Sequence, residues 1–73
     1  MKVILYGKPN CGGCTATKAA LIKQGTPFKY VDVTVDGYNG PSEYRSMPVV
    51  VAGSQHWSGF QLDLIKALVT PDA

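Results

Sequence analysis

Cysteine is scarce in this chain of 73 residues: there are two, Cys11 and Cys14. Secreted domains too small to build a large core are stapled by several disulfides, so two cysteines exclude that class. Histidine is scarcer still, a single residue, His56. A structural zinc takes four ligands, and Cys11, Cys14 and His56 supply three at best, so no metal site is expected within one chain. Charge is low, 16% of residues with a net of +2, and Lys2, Lys8, Lys18, Lys23, Lys29, Arg45 and Lys66 are scattered. With no basic cluster, nucleic acid and anionic membrane surfaces are not expected partners. Long apolar runs are missing too. The longest, Met47 to Ala52, falls far below the roughly 20 residues of a membrane span. The opening Met1 to Gly7 is too short for a secretory signal and lacks a small-residue cleavage site, so the expected location is cytoplasmic.

What is present is a globular composition, 45% apolar, which excludes a disordered tail. The length allows a single domain spanning 1–73, with roughly 60% of its surface buried on folding. At that margin small domains often need a staple. The C-x-x-C pair is a poor one, because closing so short a loop is worth only ~2 kcal/mol against ~3 kcal/mol for fifteen residues. In a protein that is not exported, such a pair is expected to be made and broken rather than kept. Redox chemistry or metal binding remains, the latter as an iron–sulfur cluster shared between two chains.

Lys2 to Tyr6 is a continuous apolar run of the kind a central strand shows when both faces are covered. Gly7-Lys8-Pro9-Asn10 reads as a turn. Thr15 to Gln24 is rich in helix formers, with Cys14, Thr17 or Lys18, and Leu21 on one face, and Gly25 and Pro27 mark its stop. Phe28 to Val33 predicts a second strand, completing a βαβ unit. Thr34 to Ser46, with Gly37, Asn39, Gly40 and Pro41, is irregular and predicts at most one helical turn, starting at Pro41. Val49 to Val51 and Gln55 to Trp57 predict a hairpin around Gly53-Ser54. Phe60, Leu64 and Leu68 predict the buried face of a last helix, flanked by Leu62, Ile65 and Val69 and ended by Thr70-Pro71. The order is βαβ followed by ββα.

The cysteines sit where the first strand gives way to the first helix. With Cys11 at the helix N-cap, its sulfur meets the unpaired N–H groups and the positive end of the helix dipole. Both favour the thiolate, which is the nucleophile. Cys14, one turn on and expected to be more buried, can attack a mixed disulfide formed at Cys11. Lys8 is either a nearby positive charge or a solvated loop lysine. Gly12 and Gly13 each cost the first turn roughly 1 kcal/mol relative to Ala; they either open access to Cys11 or leave that turn poorly formed. Pro48 either opens a strand in the ordinary way or follows Met47 through a cis bond that turns Met47 toward an adjoining site. His56 reads as a strand-surface histidine and Trp57 as a packing residue. Tyr6, Tyr30, Tyr38 and Tyr44 carry no spacing that marks a binding stripe.

Three motifs in order, Tyr6-Gly7-Lys8-Pro9-Asn10-Cys11-Gly12-Gly13-Cys14, Met47-Pro48-Val49-Val50-Val51 and His56-Trp57-Ser58-Gly59-Phe60, resemble the NrdH-redoxins, small glutaredoxin-like proteins with thioredoxin-like activity. The resemblance implies an α/β thioredoxin-like fold whose four-stranded mixed sheet runs in the order 2-1-3-4. It implies a cis Pro48 beside Cys11. It also implies a dithiol–disulfide oxidoreductase that donates electrons to a disulfide of ribonucleotide reductase or another protein. Thioredoxin reductase would re-reduce it, and the Cys11–Cys14 disulfide would be its only cofactor. By the same resemblance Cys11 attacks and Cys14 resolves. Lys8, Pro9, Gly12, Gly13, Met47, Pro48, Trp57, Ser58, Gly59 and Phe60 would form the docking surface of a monomer. The chain departs from the family at Gly12-Gly13, where a bulkier pair is usual, at Gln61-Leu62-Asp63, where the family carries Arg-Pro-Asp, and in a second helix that is shortened or irregular, Thr34 to Ser46.

The runner-up is a glutathione-dependent glutaredoxin. That activity needs charged groups for the glutathione carboxylates and amine. From Trp57 to Asp63 only Asp63 is charged, and Lys8 is the one basic residue nearer the cysteines. A reading from another class is a thioredoxin-fold binding subunit whose cysteines are incidental.

Overall fold

In the computed structural model, which describes residues 2–68, alternation along the first strand decides what lies on each side of the sheet. Strand β1 (Val3–Gly7) sends Val3 and Leu5 to one face and Tyr6 to the other, and all three are buried. It lies between β2 (Lys29–Asp32), parallel to it, and β3 (Val49–Ala52), antiparallel; β4 (Gln55–Ser58) closes the other edge. The order β2-β1-β3-β4 is the one the family resemblance implies. Helix α1 (Gly12–Gln24) crosses from β1 to β2, and α3 (Leu62–Lys66) follows β4. Leu21 of α1, Ile65 of α3 and Leu68 close over Val3, Leu5, Val50, Ala52 and Trp57 to make the core. The two central strands are covered on both faces, which is why they read as unbroken apolar runs.

The first strand runs one residue further than its composition predicts. Gly7 pairs with Asp32, and Tyr30 lies across it so closely that a Cβ on Gly7 would fall 2.7 Å from the Tyr30 hydroxyl. The glycine extends the strand here rather than breaking it. The helical turn of the irregular segment also falls elsewhere than predicted, at α2 (Val33–Asp36). Asp32 caps it by accepting from the Thr34 N–H at 2.9 Å and the Thr34 hydroxyl at 2.6 Å, a local Asx cap that overrides the strand preference of Val33 and Val35. Pro41 starts no helix; it only closes a turn, with Tyr44 N–H reaching its carbonyl at 3.4 Å.

The last helix corrects a second expectation. Ile65 is its buried residue and Leu68, just past its end, is buried too, while Phe60, Leu62 and Leu64 are 45%, 41% and 37% exposed. Gly59, at φ 84°, turns the chain so that the helix starts only at Leu62. Phe60 therefore lies outside it, and helical spacing counted from Phe60 picks out Leu64 in place of Ile65, though it still reaches the buried Leu68. Val69 and the stop at Thr70-Pro71 lie outside the described residues.

Among the described residues the far face of the sheet carries no long helix. Residues 37–46 cross it, with the Tyr38 ring edge-on to Tyr6 at 5.0 Å and the Tyr38 hydroxyl donating to the Pro41 carbonyl. Burial, then the neighbouring Tyr6, Tyr44 and Glu43, hold the Tyr38 phenol above its ordinary pKa of 10.0. None of the helices among the described residues is long and apolar enough to cross a membrane.

Helix α1 ends as predicted, on Gly25 in the left-handed region at φ 79°, its N–H bonded to the Ile22 carbonyl at 3.0 Å. Nothing lies within 4 Å of a Cβ placed there, so only backbone strain opposes a side chain. Gly25→Ala is expected to lower the unfolding free energy by about 1 kcal/mol in urea titration, the penalty of a left-handed alanine.

Candidate active site

Cys11 is the N-cap of α1, with the extended backbone of a capping residue, φ −118° and ψ 108°. Serine or aspartate oxygens usually fill this role. Here the sulfur does: the Cys14 N–H donates to Cys11 Sγ at 3.2 Å. The Cys11 carbonyl accepts from the Thr15 N–H at 3.1 Å, so the helix is formed from Gly12 onward despite the two glycines. No acidic residue occupies the first turn to offset the dipole at this end. The two cysteines are joined as a disulfide, their Cα atoms 5.2 Å apart. Cys11 is half-buried and Cys14 is 3% exposed, so an incoming group meets Cys11.

The second wall is the segment before β3. The Met47–Pro48 peptide is cis, and the Met47 carbonyl oxygen lies 3.7 Å from Cys11 Sγ. Pro48 is buried, and its Cδ stands 3.1 Å from where a Cβ on Gly13 would be. Its carbonyl accepts from the Gly59 N–H at 2.8 Å, and the Ser58 hydroxyl donates to the Ser46 carbonyl at 3.0 Å. Three stretches distant in sequence thus meet: the start of α1, Met47-Pro48 and Ser58-Gly59.

The other candidate residues separate by burial. Lys8, Pro9 and Gly12 are exposed beside Cys11, and Gly13, Met47, Ser58 and Gly59 are half-buried. Phe60 stands out at 45%. Trp57 does not belong to the surface at all. It is 5% exposed and packs in the core opposite Val50, because alternation along β4 turns Trp57 inward and His56 and Ser58 outward. The ring of His56 bonds to Tyr44, whose hydroxyl is 2.9 Å from Nδ1. The spacing of the tyrosines concealed this contact and the Ser46–Ser58 bond. Both link an irregular segment to a strand 12 positions away, and no periodicity reports such pairs.

An exposed-side sulfur at a helix N-terminus, a buried partner one turn on and a cis proline across from them are the working parts of a thiol–disulfide oxidoreductase of thioredoxin fold. The glutaredoxin family profile matches residues 3–57. Glutaredoxin-like protein NrdH of Salmonella typhimurium is 38% identical over 79 aligned positions, covering 100% of this chain and 96% of that protein. Its Escherichia coli counterpart is 35% identical, with 93% and 89% covered. Among solved structures, the glutaredoxin-like NrdH-redoxin from Escherichia coli, described by its thioredoxin-like activity profile, superposes with a TM-score of 0.82 at 31% identity over 100% of both chains. A glutaredoxin of Archaeoglobus fulgidus gives 0.75 at 28% identity, over 93% of this chain and 85% of that one. The chain belongs to the glutaredoxin family, in its NrdH-redoxin branch.

The two glycines between the cysteines differ in surroundings. A Cβ on Gly12 meets nothing within 4 Å, whereas one on Gly13 meets Pro48. Gly12→Ala is therefore expected to raise stability of the oxidised protein by about 0.5–1 kcal/mol, the helix-propensity difference. Gly13→Ala should forfeit that gain or reverse it. Guanidinium unfolding of both variants makes the comparison.

Proposed function

We propose that this protein is a cytoplasmic electron donor that reduces a disulfide of ribonucleotide reductase and is itself re-reduced by thioredoxin reductase. The observation that carries the donor role is the unequal burial of the two sulfurs on one helix N-terminus. The choice of partners is supported by the near full-length likeness to proteins named NrdH, and by the scarcity of charge along Trp57 to Asp63, where glutathione would need ion pairs.

In this reading the reduced protein presents Cys11 as thiolate, held by the Cys14 N–H and the dipole of α1. The thiolate attacks one sulfur of the target disulfide. That S–S bond breaks as the Cys11–target bond forms, and the second target sulfur leaves as a thiolate and takes a proton from solvent. Cys14 then loses its proton and attacks Cys11 Sγ, releasing the first target sulfur as a thiol. Two electrons and two protons have passed to the target, and the Cys11–Cys14 disulfide remains. Lys8, Pro9, Gly12, Met47, Ser58, Gly59 and Phe60 form the rim the target protein touches. Pro48 and Gly13 shape the wall behind it.

A coupled NADPH-oxidation assay with a protein disulfide tests the partners. Turnover is expected with thioredoxin reductase as the electron source. Turnover only with glutathione and its reductase would transfer the protein to the glutathione-dependent class. Cys11→Ser is expected to reduce the rate to the uncatalysed level, and Cys14→Ser to accumulate a covalent adduct with the target, visible on a non-reducing gel. Full activity of Cys11→Ser in the biological role would leave a binding subunit with incidental cysteines.

A further inference from the structure

Between Asp36, where α2 ends, and Val49, where β3 begins, the chain has little regular support. The main-chain bonds of this stretch among the described residues are Gly37 N–H to Val33, Tyr44 N–H to Pro41, and Gly59 N–H to Pro48. Yet the stretch delivers Met47 and Pro48 to Cys11. Its end is tied to β4 and the following turn at three points: Tyr44 to His56, Ser46 to Ser58 and Pro48 to Gly59. At Ser46 and Pro48 the segment contributes a backbone carbonyl, which any residue supplies. Tyr44 is the tether that depends on the segment's own side chain.

Its geometry is well suited to hold. The Tyr44 hydroxyl lies 2.9 Å from His56 Nδ1 and 3.2 Å from the His56 carbonyl oxygen, and the rings meet edge-on at 5.5 Å. With the proton on Nδ1, the ring N–H donates to the phenol oxygen while the phenol O–H donates to the carbonyl. One tautomer satisfies both contacts. We infer that Tyr44 is a positioning residue, whose bond to His56 fixes the Met47–Pro48 wall over Cys11 in place of the support a full second helix would provide. This inference rests on the proposed reading that the Met47–Pro48 wall faces the target disulfide.

Tyr44→Phe in the full-length chain removes the two hydroxyl contacts and keeps the ring. Tyr38→Phe is the matched control: it also deletes a phenol bond of this segment, but one that stays within it, to Pro41. For Tyr44→Phe, loss of a hydrogen bond is expected to speed exchange of the Gly59 amide about three- to tenfold. KM for insulin, with dithiothreitol as reductant, should rise by a similar factor. Neither kcat nor the rate of Cys11 alkylation by iodoacetamide should change. Tyr38→Phe should leave Gly59 exchange and KM at their wild-type values. Equal behaviour of the two variants, or an unchanged Gly59 in Tyr44→Phe, overturns the inference. If the unaltered protein fails to reduce insulin, the proposed function falls instead, and the exchange comparison alone decides the role of Tyr44.

Discussion

The hydrogen bond from the Cys14 N–H to Cys11 Sγ is the contact on which the rest of the molecule turns. It caps the helix in the disulfide, and in the proposed mechanism it stabilises the thiolate as well. A capping group must carry an acceptor into the cluster of unpaired N–H groups at a helix start, and an anion is the strongest acceptor available. Placing sulfur there makes the stability of α1 and the reactivity of Cys11 draw on the same bond. The position requires β1 to run up to the turn before Cys11 and α1 to leave from it. The strand–turn–helix unit is therefore the smallest piece of structure that can hold such a thiolate, and the remaining strands exist to cover it and bring up the opposite wall.

That opposite wall is where the small size of the chain is felt. One face of the sheet is closed by α1 and α3 over a core of large aliphatic residues and Trp57. The other is crossed by an irregular stretch whose order comes from phenols: Tyr38 against Tyr6, Tyr44 against His56. A phenol suits this work because the ring covers apolar surface while the hydroxyl finds a partner at the rim. The arrangement places the ends of the stretch less redundantly than a helix would, since its tethers are single contacts rather than a ladder. Stability is accordingly expected to be lowest here.

Much of this was legible in the sequence. The strand-turn-helix with Cys11 at its cap follows from an apolar run, a turn cluster and helix formers closed by Gly25. The hairpin follows from Gly53-Ser54, and the sheet order and cis proline came through family likeness. What was not legible divides by physical cause. Gly7 looked like a breaker because composition does not register Tyr30 lying across it. The turn of α2 hid in β-branched residues because its stability comes from the Asp32 cap. On α3 the spacing from Phe60 points to Leu64 rather than Ile65, because Gly59 turns the chain and the helix starts only at Leu62. For Trp57 the residues and the family likeness point different ways: read by itself it is a packing residue, as its burial bears out, while the motif likeness sets it on the docking surface.

The Gly12-Gly13 pair, anomalous by helix propensity, resolves into two separate constraints. At Gly13 the proline wall comes so near the helix that a methyl group would have to displace it, so the glycine there follows from packing between α1 and Pro48. At Gly12 no such contact exists, and the position faces outward beside the reactive sulfur. A side chain there would be tolerated by the fold and would stand at the approach to Cys11. The two glycines therefore govern two separate properties, the spacing between helix and proline wall and the room beside the Cys11 sulfur, and each can change without the other.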